Sequence, residues 1–132
     1  MRIQTTFTGN SGPTPVQVST LSAFNADLSK PLIADRILIQ MKAGATVGLG
    51  YVIDGVYFST QTTNDNTAPT NPTAPTRSGS SPVELAAATS TVPGGTYTDE
   101  AYQKDGAGID LRKLWVDADN GVVMTISVDL RD

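Results

Sequence analysis

The sequence contains neither cysteine nor histidine among its 132 residues. The absence of cysteine excludes disulfides and cysteine nucleophiles, and the absence of both residue types excludes zinc sites of the usual Cys and His kind. Without histidine, a Ser-His or Cys-His relay for nucleophilic catalysis is also excluded. We therefore expect a protein that is not an enzyme and that uses no cofactor or metal.

Positive charge is scarce as well, with 9 Lys and Arg against 13 Asp and Glu and a formal net charge of −4. Surfaces that bind nucleic acid cluster basic residues to neutralise phosphates, and the sequence has no such basic patch. It also has no apolar run long enough to cross a bilayer, and residues 1–7 lack the apolar core of a signal peptide. These observations predict a soluble protein, made in a cytoplasm, with no nucleic-acid or membrane partner.

Alternating hydrophobicity over residues 122–130 gives the clearest secondary-structure signal. The apolar residues at every second position are Val122, Met124, Ile126, Val128 and Leu130. A period of two predicts a strand with one apolar face. The preceding Asp119, Asn120 and Gly121 tolerate positive φ angles. They predict a tight turn that joins this strand to another over 109–118 in an antiparallel hairpin.

Shorter strand signals occur along the rest of the chain. They cover residues 3–8, 16–18, 36–41, 46–53, 82–85 and 90–93. The segment 36–41 places Ile37, Ile39 and Met41 on one face and predicts a central strand. Because strand signals outnumber helical ones, we predict a single all-β domain over 1–132, an antiparallel β-sandwich or a jelly-roll-like fold.

A long polar segment, 59–82, contains no Val, Ile, Leu, Met or aromatic residue and therefore cannot form a core of its own. The spacing of Pro69, Pro72 and Pro75 favours extended polyproline II structure. We predict an exposed loop or arm here, and loops of this length are usually functional or disordered. Arg77, alone among small polar residues, is a candidate anchor to a carboxylate on a neighbour.

Acidic residues are the next candidates for chemistry. Asp99, Glu100, Asp105 and Asp110 lie in the polar stretch 97–108 or directly after it. That stretch is predicted to be a loop, and carboxylates in such loops are most often solvated rather than paired as general acid and base. Residues 117–121 resemble the start of a calcium loop, but the glycine comes one position early and the distal Glu is missing. They therefore predict a β-turn.

Trp115 is the aromatic residue with the clearest candidate role. If Leu114 and Val116 face the core, Trp115 shares the opposite face of its strand with Lys113 and Asp117. Two interpretations are open at this point. An exposed Trp115 would suit a protein interface or a sugar-stacking platform. Alternatively, a second layer or the long loop covers it.

Three sequence blocks follow one another along the chain. The first is ADRILIQ followed by the glycine-rich VGLGYV, the second is PVELAAA followed by STVP, and the third is IDLRKLWVDADNGV. In this order they resemble a group of small virion-associated proteins of tailed bacteriophages. In that group a strand ending in Ile-Gln precedes a glycine-rich strand, a Pro-x-x-Leu-Ala segment and an aromatic-Val-Asp motif before a glycine turn. The pattern covers about two thirds of the chain.

The resemblance implies a non-enzymatic bacteriophage virion structural protein, namely a capsid decoration, cement or minor head protein that stabilises the assembled shell. The implied location is the virion, and the implied partners are the major capsid protein or other virion proteins. A homo-oligomer, with a trimer among the options, is also expected. We predict that the contact elements are the 59–82 arm with Arg77, then Trp115, and the first strand with Phe7. The alternative is a receptor- or glycan-binding module of a tail spike or fibre that stacks sugars on Trp115 or Tyr102.

Overall fold

The computed structural model describes residues 1–10, 15–24, 32–54, 82–100 and 108–131. The strands in these ranges are β1 (Arg2–Thr8), β2 (Val16–Gln17), β3 (Ile33–Met41), β4 (Gly50–Asp54), β5 (Val83–Leu85), β6 (Thr96–Glu100), β7 (Ile109–Asp110), β8 (Leu114–Ala118) and β9 (Val123–Leu130). Short 3-10 turns cover Val18–Thr20, Ser22–Phe24 and Leu111–Lys113. Within the described ranges, no helix is long and apolar enough to span a membrane.

The strands pair antiparallel in two sheets. One sheet has the order β1-β9-β3-β6, and β7 pairs with β3 beyond the end of β6. The other has the order β2-β8-β4-β5. The prediction of an all-β protein with antiparallel sheets is therefore confirmed.

One hydrophobic cluster draws its residues from both sheets. Its members include Ile37, Ile39 and Met41 of β3, Met124, Ile126 and Val128 of β9, Val52 of β4 and Val116 of β8. Gly50 of β4 lies against the thioether groups of Met41 and Met124, so the sheets meet directly. Burying each large apolar side chain contributes about 1.5–3 kcal/mol to the free energy of unfolding. The predicted inward faces of β3 and β9 are confirmed.

The turn at 119–121 connects the two sheets and does not close a hairpin. Gly121 has a φ of +80°, and the Val122 N–H donates to the Asp119 carbonyl at 3.0 Å, so the tight turn is confirmed. However, β8 pairs with β2 and β4, whereas β9 pairs with β1 and β3. The hairpin prediction is therefore wrong. Alternation reveals which face of a strand is buried but not which strand lies beside it.

Two further segments differ from their predicted structure. Residues 90–93 form a bend rather than a strand, because the Thr89 hydroxyl accepts the N–H groups of Thr91 and Val92 at 3.3 and 2.9 Å. Side-chain bonds of this kind compete with strand pairing. Conversely, the predicted loop over 97–108 begins inside β6. This strand is polar because it lies at a sheet edge with one face in solvent.

Two predicted strands are also shorter than expected. The strand predicted over 46–53 begins only at Gly50. In the segment 109–118, the 3-10 turn Leu111–Lys113 separates β7 from β8, and the Asp110 carboxylate accepts the Arg112 N–H at its start. That capping bond explains the interruption, because it favours a turn over a continued ladder.

The predicted arm lies outside the described residues apart from Pro82. This holds for the candidate contact residues Pro69, Pro72, Pro75 and Arg77. The strands on either side of it, β4 and β5, pair antiparallel with Val52 opposite Val83. The last residues of β4 and the first residues of β5 therefore lie at the same end of one sheet.

Candidate interaction surface

Trp115 is buried, with 7% of its surface exposed. It lies opposite Gln17 on β2 and Ile53 on β4, which are also buried. Neither Trp115 nor Ile53 belongs to the cluster shared by the two sheets, so both lie on the other face of the four-stranded sheet. Within the described ranges, the indole N–H has no hydrogen-bond partner. The exposed interpretation of Trp115 is therefore wrong, and the covered one is correct.

Phe7 is likewise buried, and it belongs to the core cluster. It was predicted as a contact residue because it lies in the first strand, and this prediction is wrong. Odd-numbered residues of β1 point toward the core, whereas Arg2, Gln4 and Thr6 point to solvent. On the solvent side of β1, the side chains that can contact a partner are therefore those of its even-numbered residues.

The solvent side of the five-stranded sheet forms an ordered polar surface, which we call the outer face. Residues aligned across β1, β9, β3 and β6 form three rows. The rows are Arg2, Asp129, Arg36 and Glu100; then Gln4, Ser127, Leu38 and Thr98; then Thr6, Thr125, Gln40 and Thr96. Sequence reasoning missed this surface, because alternation marks a polar face on each strand but does not give the order of the strands.

The first row alternates in charge. The Arg2 Nε atom donates to Asp129 Oδ1 at 3.0 Å, and Arg36 Nε lies 3.2 Å from Glu100 Oε1, although at an angle outside hydrogen-bond geometry. The hydrogen bond from Arg2 lowers the pKa of Asp129, burial opposes this effect, and the charges of Arg2 and Arg36 lower the pKa further. The same hydrogen bond raises the pKa of Arg2. The row is a set of cross-strand pairs of opposite charge.

Beside this charged row, the outer face has a small apolar centre. Leu38, on the central strand, is half-buried and lines two shallow depressions of about 270 and 440 Å³. Gln4 and Ser127 line both depressions as well, and the Gln4 amide donates to the Ser127 hydroxyl at 3.2 Å. An apolar centre within a polar, hydrogen-bonding rim is the usual anatomy of a protein interface.

The buried charges near β8 have a structural role. Arg112 is 3% exposed, and its guanidinium binds both oxygens of Asp110, with Nε–Oδ1 at 3.0 Å and Nη2–Oδ2 at 2.7 Å. The Gln17 amide donates to the Arg112 carbonyl, which ties β2 to the 3-10 turn. Two of the candidate acidic residues therefore have basic partners. Asp110 forms an ion pair with Arg112, and Glu100 lies beside Arg36. Asp105 lies outside the described residues, as does Tyr102.

Comparison of the chain with known family models, with curated proteins and with solved structures found no match.

Proposed function

We propose that this protein is a non-enzymatic bacteriophage virion structural protein, a capsid decoration, cement or minor head protein that binds the assembled shell. In this proposal the body is a β-sandwich, and its mechanism is binding alone. A protein that binds the assembled particle in preference to free subunits stabilises the particle by mass action. Repeated copies on a shell also multiply the effect of individually weak contacts.

The observation that carries this proposal is the position of Leu38. It lies on the solvent side of β3, at the centre of an otherwise polar face, with hydroxyl and amide groups around it. Covering Leu38 by a partner removes apolar surface from water, while the surrounding rows supply hydrogen bonds and charge pairs. We place the capsid contact on this outer face.

The alternative of a glycan-binding module depended on an aromatic stacking platform at Trp115 or Tyr102. Sugar recognition by stacking needs an accessible aromatic ring. Trp115 is buried and cannot offer one in this conformation. The outer-face rows contain no aromatic side chain either. The described surface therefore favours a protein partner over a sugar.

Co-sedimentation with capsids of the encoding phage tests the proposal. The purified protein is expected to pellet with mature capsids and to remain in the supernatant without them. Leu38→Glu places a charge at the centre of the proposed contact and should weaken binding by at least about tenfold, because an unpaired charge is costly to bury.

Val47→Glu is the matched control. Val47 is 66% exposed and lies in the β3–β4 connection, so this variant carries the same added charge outside the outer face. It should bind like the unmodified protein. Failure of the unmodified protein to co-sediment would overturn the proposed function. Equal binding by Leu38→Glu and Val47→Glu would overturn the assignment of the contact to the outer face.

A further inference from the structure

The outermost strand of the five-stranded sheet, β1, has an edge with which no other strand of the described ranges pairs. It spans 7 residues, whereas the other edge strands β6, β5 and β2 span 5, 3 and 2. Natural proteins protect long edges with proline, lysine or bulges, because free backbone groups recruit other strands. β1 contains no proline or lysine and keeps an unbroken register with β9.

The hydrogen-bond pattern shows which backbone groups face outward. Met1 and Leu130 exchange two backbone bonds of 2.8 and 3.1 Å, and the Gly9 N–H donates to the Val122 carbonyl at 2.9 Å. Bonded pairs alternate in an antiparallel ladder, so the odd-numbered residues of β1 direct their backbone groups to β9. The even-numbered residues direct theirs away from the sheet.

These even-numbered residues are Arg2, Gln4, Thr6 and Thr8, and all four are exposed. No backbone group elsewhere in the described ranges bonds to their outward N–H and C=O groups. The 3-10 turn Ser22–Phe24 approaches β1 where Phe24 enters the core, but it makes no backbone hydrogen bond to the strand. As far as the described residues show, the edge is therefore available for pairing.

We propose that two copies of this chain associate by antiparallel pairing of their β1 edges about a two-fold axis. Only the even-numbered residues of β1 direct their backbone groups outward. An even-numbered residue of one copy must therefore lie opposite an even-numbered residue of the other. The register centred on Thr5 satisfies this condition with Arg2 opposite Thr8 and Gln4 opposite Thr6. Each such pair exchanges two backbone hydrogen bonds. The two five-stranded sheets then form one continuous sheet.

The β1 sequence is self-complementary in this register. The two Arg2 side chains lie at opposite ends of the interface, so like charges do not meet. On the core side, the second copy covers the half-buried Ile3. Because each copy has one β1, the two-fold contact closes at two copies. This inference goes beyond the proposed virion role and does not depend on it.

The oligomeric state of the full chain tests this inference. Light scattering coupled to size-exclusion chromatography, from about 1 μM to about 1 mM, should give a mass approaching twice the chain's 13.8 kDa as concentration rises. Thr6→Pro removes an outward N–H without removing a bond to β9. It should raise the dissociation constant of the dimer by at least about tenfold, because proline has no backbone N–H to donate and its ring projects into the contact.

Thr98→Pro is the matched control on the opposite edge of the same sheet. Met41 bonds with Gly94 and Gly95, so alternation directs the Thr98 N–H outward from β6. This variant should remain dimeric. A monomer at every concentration, a trimer, or a dimer that persists in Thr6→Pro would overturn the inference.

A charge-exchange experiment keeps the inference testable if Thr6→Pro fails to fold. The double variant Gln4→Lys with Thr6→Lys places like charges opposite each other in the proposed register and should be monomeric. The double variant Gln4→Glu with Thr6→Glu should be monomeric for the same reason. Mixing the two should restore a dimer that contains one copy of each. Absence of this mixed dimer would overturn the register.

Discussion

At the scale of single residues, burial and pairing decide what each side chain can do. Trp115 illustrates this, because a residue that suits an interface by type is 7% exposed, and its indole N–H has no partner among the residues that the structure describes. A buried donor without a partner costs about 1–3 kcal/mol. Trp115 therefore contributes to stability through its apolar area and not through its polar atom.

Two substitutions separate these contributions. Trp115→Ala should destabilise the fold by about 3–5 kcal/mol, because it leaves a large cavity. Trp115→Phe should lower the free energy of unfolding by clearly less, because it keeps much of the ring area and removes the indole N–H. Urea unfolding followed by circular dichroism measures both. Equal losses in the two variants would contradict this account of Trp115.

Asp129 gives a prediction for pH. Its pKa is lowered by the Arg2 hydrogen bond, so the pair's contribution to stability is present above the unfolded pKa of about 3.9 and is lost as pH falls through the lower folded pKa. Carbon NMR of the Asp129 carboxyl group should show a titration midpoint below that of an ordinary aspartate. Arg2→Gln should raise this midpoint.

Arg131→Gln is the control for the Asp129 titration. Arg131 forms its own ion pair with Asp35 at 2.7 Å, and its charge does not contribute to the shift at Asp129. This variant should leave the Asp129 midpoint unchanged. A midpoint that is insensitive to Arg2→Gln would show that the pair does not form in solution.

At the scale of elements, the connection between β8 and β9 fixes how the sheets are joined. The turn at its centre bonds to the end of β1, because Gly9 and the 121–122 backbone exchange hydrogen bonds of 2.9 Å in each direction. Asp119 extends this junction, since its carboxylate accepts the Leu49 N–H at 2.8 Å. Three chain segments therefore meet at one end of the molecule.

Gly9 is the residue through which this junction can be tested. A Cβ at Gly9 would lie 2.2 Å from the Asp119 carbonyl oxygen, a backbone atom that cannot rotate away. Gly9→Ala should therefore destabilise the fold by about 1–3 kcal/mol. Thermal or urea unfolding measures the loss.

Gly44→Ala is the matched control for Gly9→Ala. A Cβ at Gly44 meets no atom within 4 Å, and Gly44 lacks a left-handed φ angle. Its substitution should change stability by no more than about 0.5 kcal/mol. If the two alanine variants were equally stable, the close approach of Gly9 to the turn would be refuted.

At the scale of the whole molecule, one cluster unites the described strands. Residues from both sheets contribute to it, so neither sheet can lose its packing without exposing the inward face of the other. Small domains with one core usually unfold in a single cooperative step.

Coincident unfolding is the prediction that follows from the shared cluster. Trp115 is the only tryptophan and reports on the four-stranded sheet, whereas far-ultraviolet circular dichroism reports on all strands. Both signals should change at the same urea concentration, and the Trp115 emission should shift to longer wavelength as its burial is lost. Two separated transitions would show that the sheets unfold independently.

The sequence by itself predicted the fold class and the buried faces of the main strands. Alternation alone identified Ile37 and Ile39 on β3 and Met124 and Ile126 on β9, because the period of side chains along a strand is a local property. The positive φ at Gly121 was also predictable, since Asp-Asn-Gly favours that conformation in any context.

Only the tertiary structure decided which strands are neighbours and which side chains remain accessible. Strand pairing depends on contacts far apart in sequence, so the turn at 119–121 looked like a hairpin although its strands belong to different sheets. Trp115 suited an interface by residue type and Phe7 by its place in the first strand, but tertiary packing covers both. The outer face and the free edge of β1 exist only once β1, β9, β3 and β6 lie side by side.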